Sequence, residues 1–135
     1  MKVNKGLRGL GLRVTKARAG VMRVLEEKDR PMDVGEIFSG LKSRGVRVDR
    51  VTVYRVLERL VEKGVIGQVD FREGKLRYEL KNEHHHHLVC KDCGSVEAVY
   101  GDKLGEVEKQ IQRQYQFVVK EHALEFFGRC KNCHE

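Results

Sequence analysis

His84-His85-His86-His87-Leu88-Val89-Cys90-Lys91-Asp92-Cys93 packs four imidazoles and two thiols into ten residues, and the rest of the chain is read outward from it. Cys90 and Cys93 form a C-x-x-C pair, a spacing that lets a tight turn aim two thiolates at one tetrahedral ion. Cys130 and Cys133 repeat the spacing near the C-terminus. Four sulfurs would close a structural zinc site, although the arm between these pairs is longer than in most short zinc ribbons. Two disulfides or a redox dithiol are the competing uses of four cysteines. No signal peptide opens the chain, and a reducing cytosol favours metal over disulfides.

Because the cysteines would fill one ion's coordination shell, the histidines need their own account. A run of four resembles an expression tag, but this one is internal and leads into Leu88-Val89-Cys90, a buried strand entering the zinc turn. Successive side chains on a strand alternate faces. His85 and His87 would then point one way and His84 and His86 the other, giving two candidate half-sites. A solvated polar run is the plainer alternative.

The chain has 135 residues, 40% hydrophobic and 35% charged, with one Pro and no Trp, which bounds it to one or two small domains rather than a large enzyme. No apolar run approaches the roughly 18 residues of a spanning helix, and the start MKVNKGLRGL has no apolar signal core. A soluble, cytoplasmic protein without a membrane partner is therefore expected. Charge is uneven: residues 1–80 carry 19 Lys and Arg against 11 Asp and Glu, net +8, whereas residues 81–135 carry 8 against 9, net −1. All six His and all four Cys lie in the second part. This points to a polyanion-binding module, residues 1–80, joined to a metal module, residues 81–135.

The basic module opens with an arm, Met1 to Val14, whose glycines argue for mobility. Thr15 can cap a helix through Glu27, with Ala17, Val21, Val24 and Leu25 on one face. Asp33 and Glu36 make a capping-box start after Pro31 for a second helix carrying Ile37, Phe38 and Leu41, with Gly45 as its stop. A third helix, Asp49 to Lys63, buries Val53, Val56, Leu57, Leu60 and Val61 and presents Thr52, Arg55 and Arg59, with Tyr54 on the flank. Two β-prone runs, Val65 to Phe71 and Lys75 to Leu80, read as a hairpin across Arg72-Glu73-Gly74. Three helices and a hairpin make a winged helix-turn-helix, whose third helix can enter the DNA major groove while surrounding cations meet phosphates. A charged helix face can equally be a solvated one, so the charge asymmetry carries part of this reading.

In the metal module, the strand through His87-Leu88-Val89 turns at the first cysteine pair and returns as Ser95 to Tyr100. Leu104, Val107, Ile111 and Tyr115 mark an amphipathic helix from Asp102 to Gln114. A β-prone finish from Phe117 to Phe127 delivers Cys130 and Cys133 back to the metal. So short a module buries little, so zinc and homodimerisation are expected to hold it. The fold class is α+β: an N-terminal winged helix-turn-helix followed by a small α/β dimerisation domain with a four-cysteine zinc site.

These residues together resemble the ferric uptake regulator family over nearly the whole chain. The likeness runs through Gly11-Leu12-Arg13-Val14-Thr15, Thr52-Val53-Tyr54-Arg55-Val56-Leu57, Arg77-Tyr78-Glu79-Leu80, the histidine run with Cys90 and Cys93, and Phe127-Gly128-Arg129-Cys130 to Cys133. It implies a metal-dependent dimeric repressor on palindromic AT-rich operators. Tyr54 and Arg55, beside Thr52, would meet bases and phosphates, and Arg13 would enter the minor groove, where narrow AT-rich DNA attracts Arg.

For the regulatory metal, the resemblance implies a site at the hinge built from Glu79, His85 and His87. Pro31 and Ala98 stand where the family commonly adds a His and an acid, and neither can ligate. Glu97, next to Ala98, should face the other side of its strand. A second site is implied at His84, His86 and His122, with Gly105 in place of the usual helix acid and Glu106 and Glu108 nearby. Three imidazoles suit zinc, or iron with an extra oxygen; the hinge donors suit iron or manganese, with zinc as a further option. Peroxide, manganese or zinc sensing within the same family is the alternative function. A zinc hydrolase or deaminase is remote, because the cysteine set is closed and no H-x-E with P-C-x-x-C occurs.

Overall fold

The structure, a computed structural model, describes residues 2–81, 85–101 and 104–134, with the backbone alone for residues 2–5. Two compact units divide at Asn82/Glu83.

The first unit holds four helices and a hairpin: α1 (Lys2–Gly9), α2 (Lys16–Lys28), α3 (Val34–Ser43), α4 (Arg50–Glu62), β1 (Ile66–Asp70) and β2 (Leu76–Leu80). The N-terminal arm thus differs from the mobile segment expected. It forms α1, and Leu7 and Leu12 are buried in the core with Val21, Leu25, Ile37, Leu41, Leu57 and Ile66. Glycines at residues 6 and 9 lower intrinsic helix propensity, but burial of Leu7 overrides it.

Each later helix of this unit starts at a side-chain cap. Thr15 accepts from the Arg18 N–H at 3.1 Å, Asp33 from Glu36 at 2.8 Å and Asp49 from Thr52 at 2.7 Å. The Asp33 N–H in turn donates to the Glu36 carboxylate, completing the box. Past the ends of α3 and α4, Gly45 and Gly64 take φ of 74° and 73°, the left-handed conformation that a side chain would strain. Close approach of α2 and α3 requires small residues. A methyl added at Gly40 would stand 2.8 Å from Val24 Cγ1.

The hairpin pairs antiparallel from Ile66↔Leu80 to Asp70↔Leu76. Met32 adds a bridge to Tyr78, exchanging backbone bonds of 2.9 and 2.8 Å, so the α2–α3 connection lies along the open edge of β2. Charges tie the wing to the start of α3, Lys75 to Asp33 at 2.6 Å and Arg77 to Glu36 at 3.9 Å, while Arg77 also pairs within the wing to Glu73 at 2.6 Å. Burial pushes the Asp33 carboxyl up, but Lys75 and the Glu36 N–H outweigh it and hold it below the usual range.

The second unit is a three-stranded sheet of order β4-β3-β5 with one helix: β3 (His85–Cys90), β4 (Val96–Tyr100), α5 (Leu104–Tyr115) and β5 (Glu125–Gly128). β3 pairs antiparallel with β4 and parallel with β5. The expected strand from Phe117 shrinks to β5, and Phe117 and Val118 precede it exposed and outside regular structure. The start of the last helix expected at Asp102 lies outside the described residues. No side chain of α5 is buried, although its apolar spacing is as expected.

Candidate metal centres and nucleic-acid interface

Two matching turns present the cysteines. Cys90 ends β3 and its carbonyl accepts from the Gly94 N–H at 2.9 Å; the Cys130 carbonyl accepts from Cys133 at 2.9 Å and His134 at 3.1 Å. The parallel pairing of β3 with β5, ending at Cys90↔Gly128, brings the second turn beside the first. All four Sγ atoms lie within 4.8 Å of one another, and Cys93 and Cys130 are 3.7 Å apart. Zn–S bonds of about 2.3 Å at tetrahedral angles separate sulfurs by about 3.8 Å, so the spacing fits zinc.

The protonation chemistry of the thiols agrees. The N–H groups of Cys93 and Cys130 donate to Cys90 Sγ at 3.5 and 3.3 Å and lower that thiol to about 6. A hydrogen bond with the Ser95 hydroxyl, 3.3 Å away, lowers Cys93 as well. Cys133, hydrogen-bonded first to Cys130 and then to Cys90, is pushed up to about 12. Such a set cannot ionise fully by itself; a dication would resolve that conflict by holding all four as thiolates.

The histidine strand carries two faces, as alternation requires. His85 and His87 stand with ring centroids 4.8 Å apart. Across the strand pair, His87 faces Ala98 and His85 faces Tyr100, whose ring centroid is 5.4 Å from that of His85. Glu97 pairs with Leu88 and so lies on the opposite face from His87. Glu79 belongs to the first unit, on β2 opposite Gly67. Pro31 precedes the isolated Met32–Tyr78 bridge, and its side chain offers no ligand atom.

On the other face, His86 and His122 have ring centroids 5.3 Å apart. His86 Nδ1 is 3.2 Å from the Leu124 carbonyl, which can only accept, so Nδ1 donates there and Nε2 faces away from that bond. His122 Nδ1 lies 2.8 Å from a Glu108 carboxylate oxygen, which orients that ring in the same sense. A helix carboxylate one turn on from Gly105, that of Glu108, thus meets His122 as a hydrogen-bond partner. From sequence alone Glu106 and Glu108 were equivalent neighbours; the irregular path of residues 116–124 selects Glu108. His84 lies outside the described residues.

In the first unit, α4 buries Val53, Val56, Leu57 and Leu60 and exposes Tyr54 and Arg55, with Thr52 half-buried at its first turn. Arg13 is exposed, and its carbonyl accepts from the Arg18 guanidinium at 3.0 Å, fastening the segment between α1 and α2. Sequence reasoning missed Arg50, stacked 4.9 Å over Phe38, and Val51, exposed beside Thr52.

A helix-turn-helix with a wing, followed by a unit whose interior is cysteine and histidine, defines a metal-responsive DNA-binding transcriptional regulator. The family model described as ferric uptake regulator family matches residues 9–127, and the chain belongs to that family. Among its relatives, the ferric uptake regulation protein of Bacillus subtilis (strain 168) is 34% identical over 98% of this chain and 92% of its own length. The solved ferric uptake regulator of Vibrio cholerae superposes with a TM-score of 0.79 at 32% identity, covering 94% of this chain and 98% of that one. That of Francisella tularensis, determined with iron, gives 0.80 at 29% identity over 93% and 96%. Members of this family act on DNA as dimers and bind divalent metal. No helix among the described residues is long and apolar enough to cross a membrane.

Proposed function

We propose that this chain is an iron-responsive repressor of the cytoplasm, not an enzyme, in which residues 1–80 bind palindromic AT-rich operators and residues 81–135 bind metal and dimerise. Cys90, Cys93, Cys130 and Cys133 hold the structural zinc. Glu79, His85 and His87 form the regulatory site for iron or manganese, and His84, His86 and His122 form a second site that favours zinc. Arg13, Thr52, Tyr54 and Arg55 contact DNA. The single observation that supports this division of labour is the two-faced strand, with His85 beside His87 on one face and His86 beside His122 on the other.

Glu79 stands near the end of the wing, six residues before His85 in sequence, so a ligand set drawn from both would act as a clasp. A metal bound there supplies a positive charge that both sides share. Only ligands that favour one arrangement of the winged helices over another shift the population toward the DNA-binding form. Two imidazoles and a carboxylate without thiolate favour iron or manganese over zinc.

The test is paired. Metal titration of operator binding is expected to show that His87→Ala abolishes activation while cysteine-bound zinc and the dimer remain, and that His86→Ala is milder. If His86→Ala is the variant that loses its metal response, sensing resides with His84, His86 and His122. Peroxide sensing at the same site would instead add an oxygen to His85 or His87 in the iron-loaded protein, visible by mass spectrometry.

A further inference from the structure

Val53, Val56, Leu57 and Leu60 fix the inward face of α4, and at about 100° per residue the direction opposite to them falls on residue 51. Val51 is 56% exposed there, more than any other large apolar side chain of the first unit among the described residues. Tyr54 and Arg55, three and four residues on, flank it on the same surface and are exposed as well. Charge divides this face along its length. The first half carries Arg50 and Arg55 with no acid between them, and the N-cap Asp49 is turned onto the Thr52 N–H. The second half carries Glu58 and Glu62, the latter paired to Arg59 at 3.1 Å. A polyanion is attracted to the first half and repelled by the second, so the N-terminal turns are the part that enters a groove.

A valine side chain neither donates nor accepts a hydrogen bond, so what it meets on a base edge must be apolar. The major groove offers one such group, the C5 methyl of thymine. Valine has one strongly preferred rotamer in a helix, so its methyls are set before contact and little entropy is lost on binding. From the exposure of Val51, its place on the helix and the charge division around it, we propose that Val51 is a specificity-determining residue. It packs on a thymine methyl in the major groove and selects T·A over the other pairs at one position of each half-site. No bond is made or broken; the discrimination comes from covering apolar surface that the other bases do not present there. This rests on the assignment of α4 as the reading helix.

The probe is a duplex selected from a random pool by the full-length chain with zinc and manganese present, its thymines then replaced one at a time by deoxyuridine. That change deletes the methyl and leaves base pairing intact. In competition titrations at fixed salt, the parent is expected to bind about fourfold more weakly at one substituted position per half-site, the value of covering one methyl. Val51→Ala should bind the selected duplex more weakly and lose its sensitivity at that position alone, and Val51→Ile should keep it. A deoxyuridine profile identical in the parent and in Val51→Ala would overturn the role of Val51, with α4 still the reading helix if Arg55→Ala weakens binding. If Arg55→Ala binds as the parent does, or the pool yields no preferred sequence, the reading helix itself is wrong and Val51 falls with it.

Discussion

The two units bury very different things. Every buried apolar side chain among the described residues except Cys90 belongs to the first unit, from Leu7 to Tyr78. The second unit's buried residues are Cys90, His86 and His87, while Leu88, Tyr100, Val107, Tyr115, Phe117, Val118 and Phe126 stand exposed in one chain. A core of ligands is stable only when something binds them, and exposed apolar strands and helices need a second copy to cover them. The first unit is thus an ordinary small domain. The second, on the proposed division of labour, is conditional, with its folding linked to metal and to dimerisation.

The largest effect expected from this contrast lies at the cysteines. Structural zinc contributes on the order of 10 kcal/mol in small domains, and Cys93 is one of four sulfurs sharing one ion's space. Cys93→Ser should lose zinc, dimer and the folded second unit together, while the helices of the first unit persist. Zinc content, sedimentation and circular dichroism read these separately; a stable zinc-bound dimer in this variant would break the comparison.

The opposite experiment targets the first unit's core. Leu57 is fully buried on the inner face of α4. Leu57→Ala should cost about 2–5 kcal/mol through lost transfer energy and a residual cavity. Chemical denaturation followed alongside zinc retention should show the first unit unfolding earlier and the metal staying put. A smaller, purely functional effect is expected at Arg55, on the exposed side of the same helix. Arg55→Ala should weaken operator binding by about 1–3 kcal/mol if it reads a base, or reduce the salt dependence if it meets phosphate, with metal content unchanged. Operator affinity untouched at moderate salt would remove α4 as the reading element.

What the sequence disclosed follows the same divide. Caps at Thr15, Asp33 and Asp49 and stops at Gly45 and Gly64 are local signals, and the helices between them fall where those signals lie. α1 escaped because glycine content describes intrinsic preference, whereas Leu7 is held by contacts distant in sequence. In the second unit, period-two alternation was enough to separate His85 and His87 from His86. Glu108 was not legible, since which carboxylate meets His122 depends on the path of the irregular stretch before β5, and periodicity carries no information there. The strand expected from Phe117 failed for a related reason: β-propensity marks residues suited to a half-buried sheet, and within one chain only Glu125–Gly128 finds a partner in β3.

The smallest effect sharpens the independence of the two units. Thr15 sits in extended backbone, φ −123° and ψ 159°, and its hydroxyl satisfies the Arg18 N–H at the start of α2. That helix supplies Ala19, Val21, Val24 and Leu25 to the core, so its first turn matters to the whole unit. Thr15→Ala leaves an orphan donor and should cost about 1 kcal/mol, whereas Thr15→Gly, which lets water reach the N–H, should cost only a few tenths. Thr15→Ser should be nearly neutral. Each shift belongs in the denaturation midpoint of the first unit, with zinc affinity and the dimer unmoved. If zinc affinity instead falls in step with this graded series, a cap more than seventy residues from Cys90 in sequence would be coupled to metal binding, and the second unit could not be treated as a separately conditional fold.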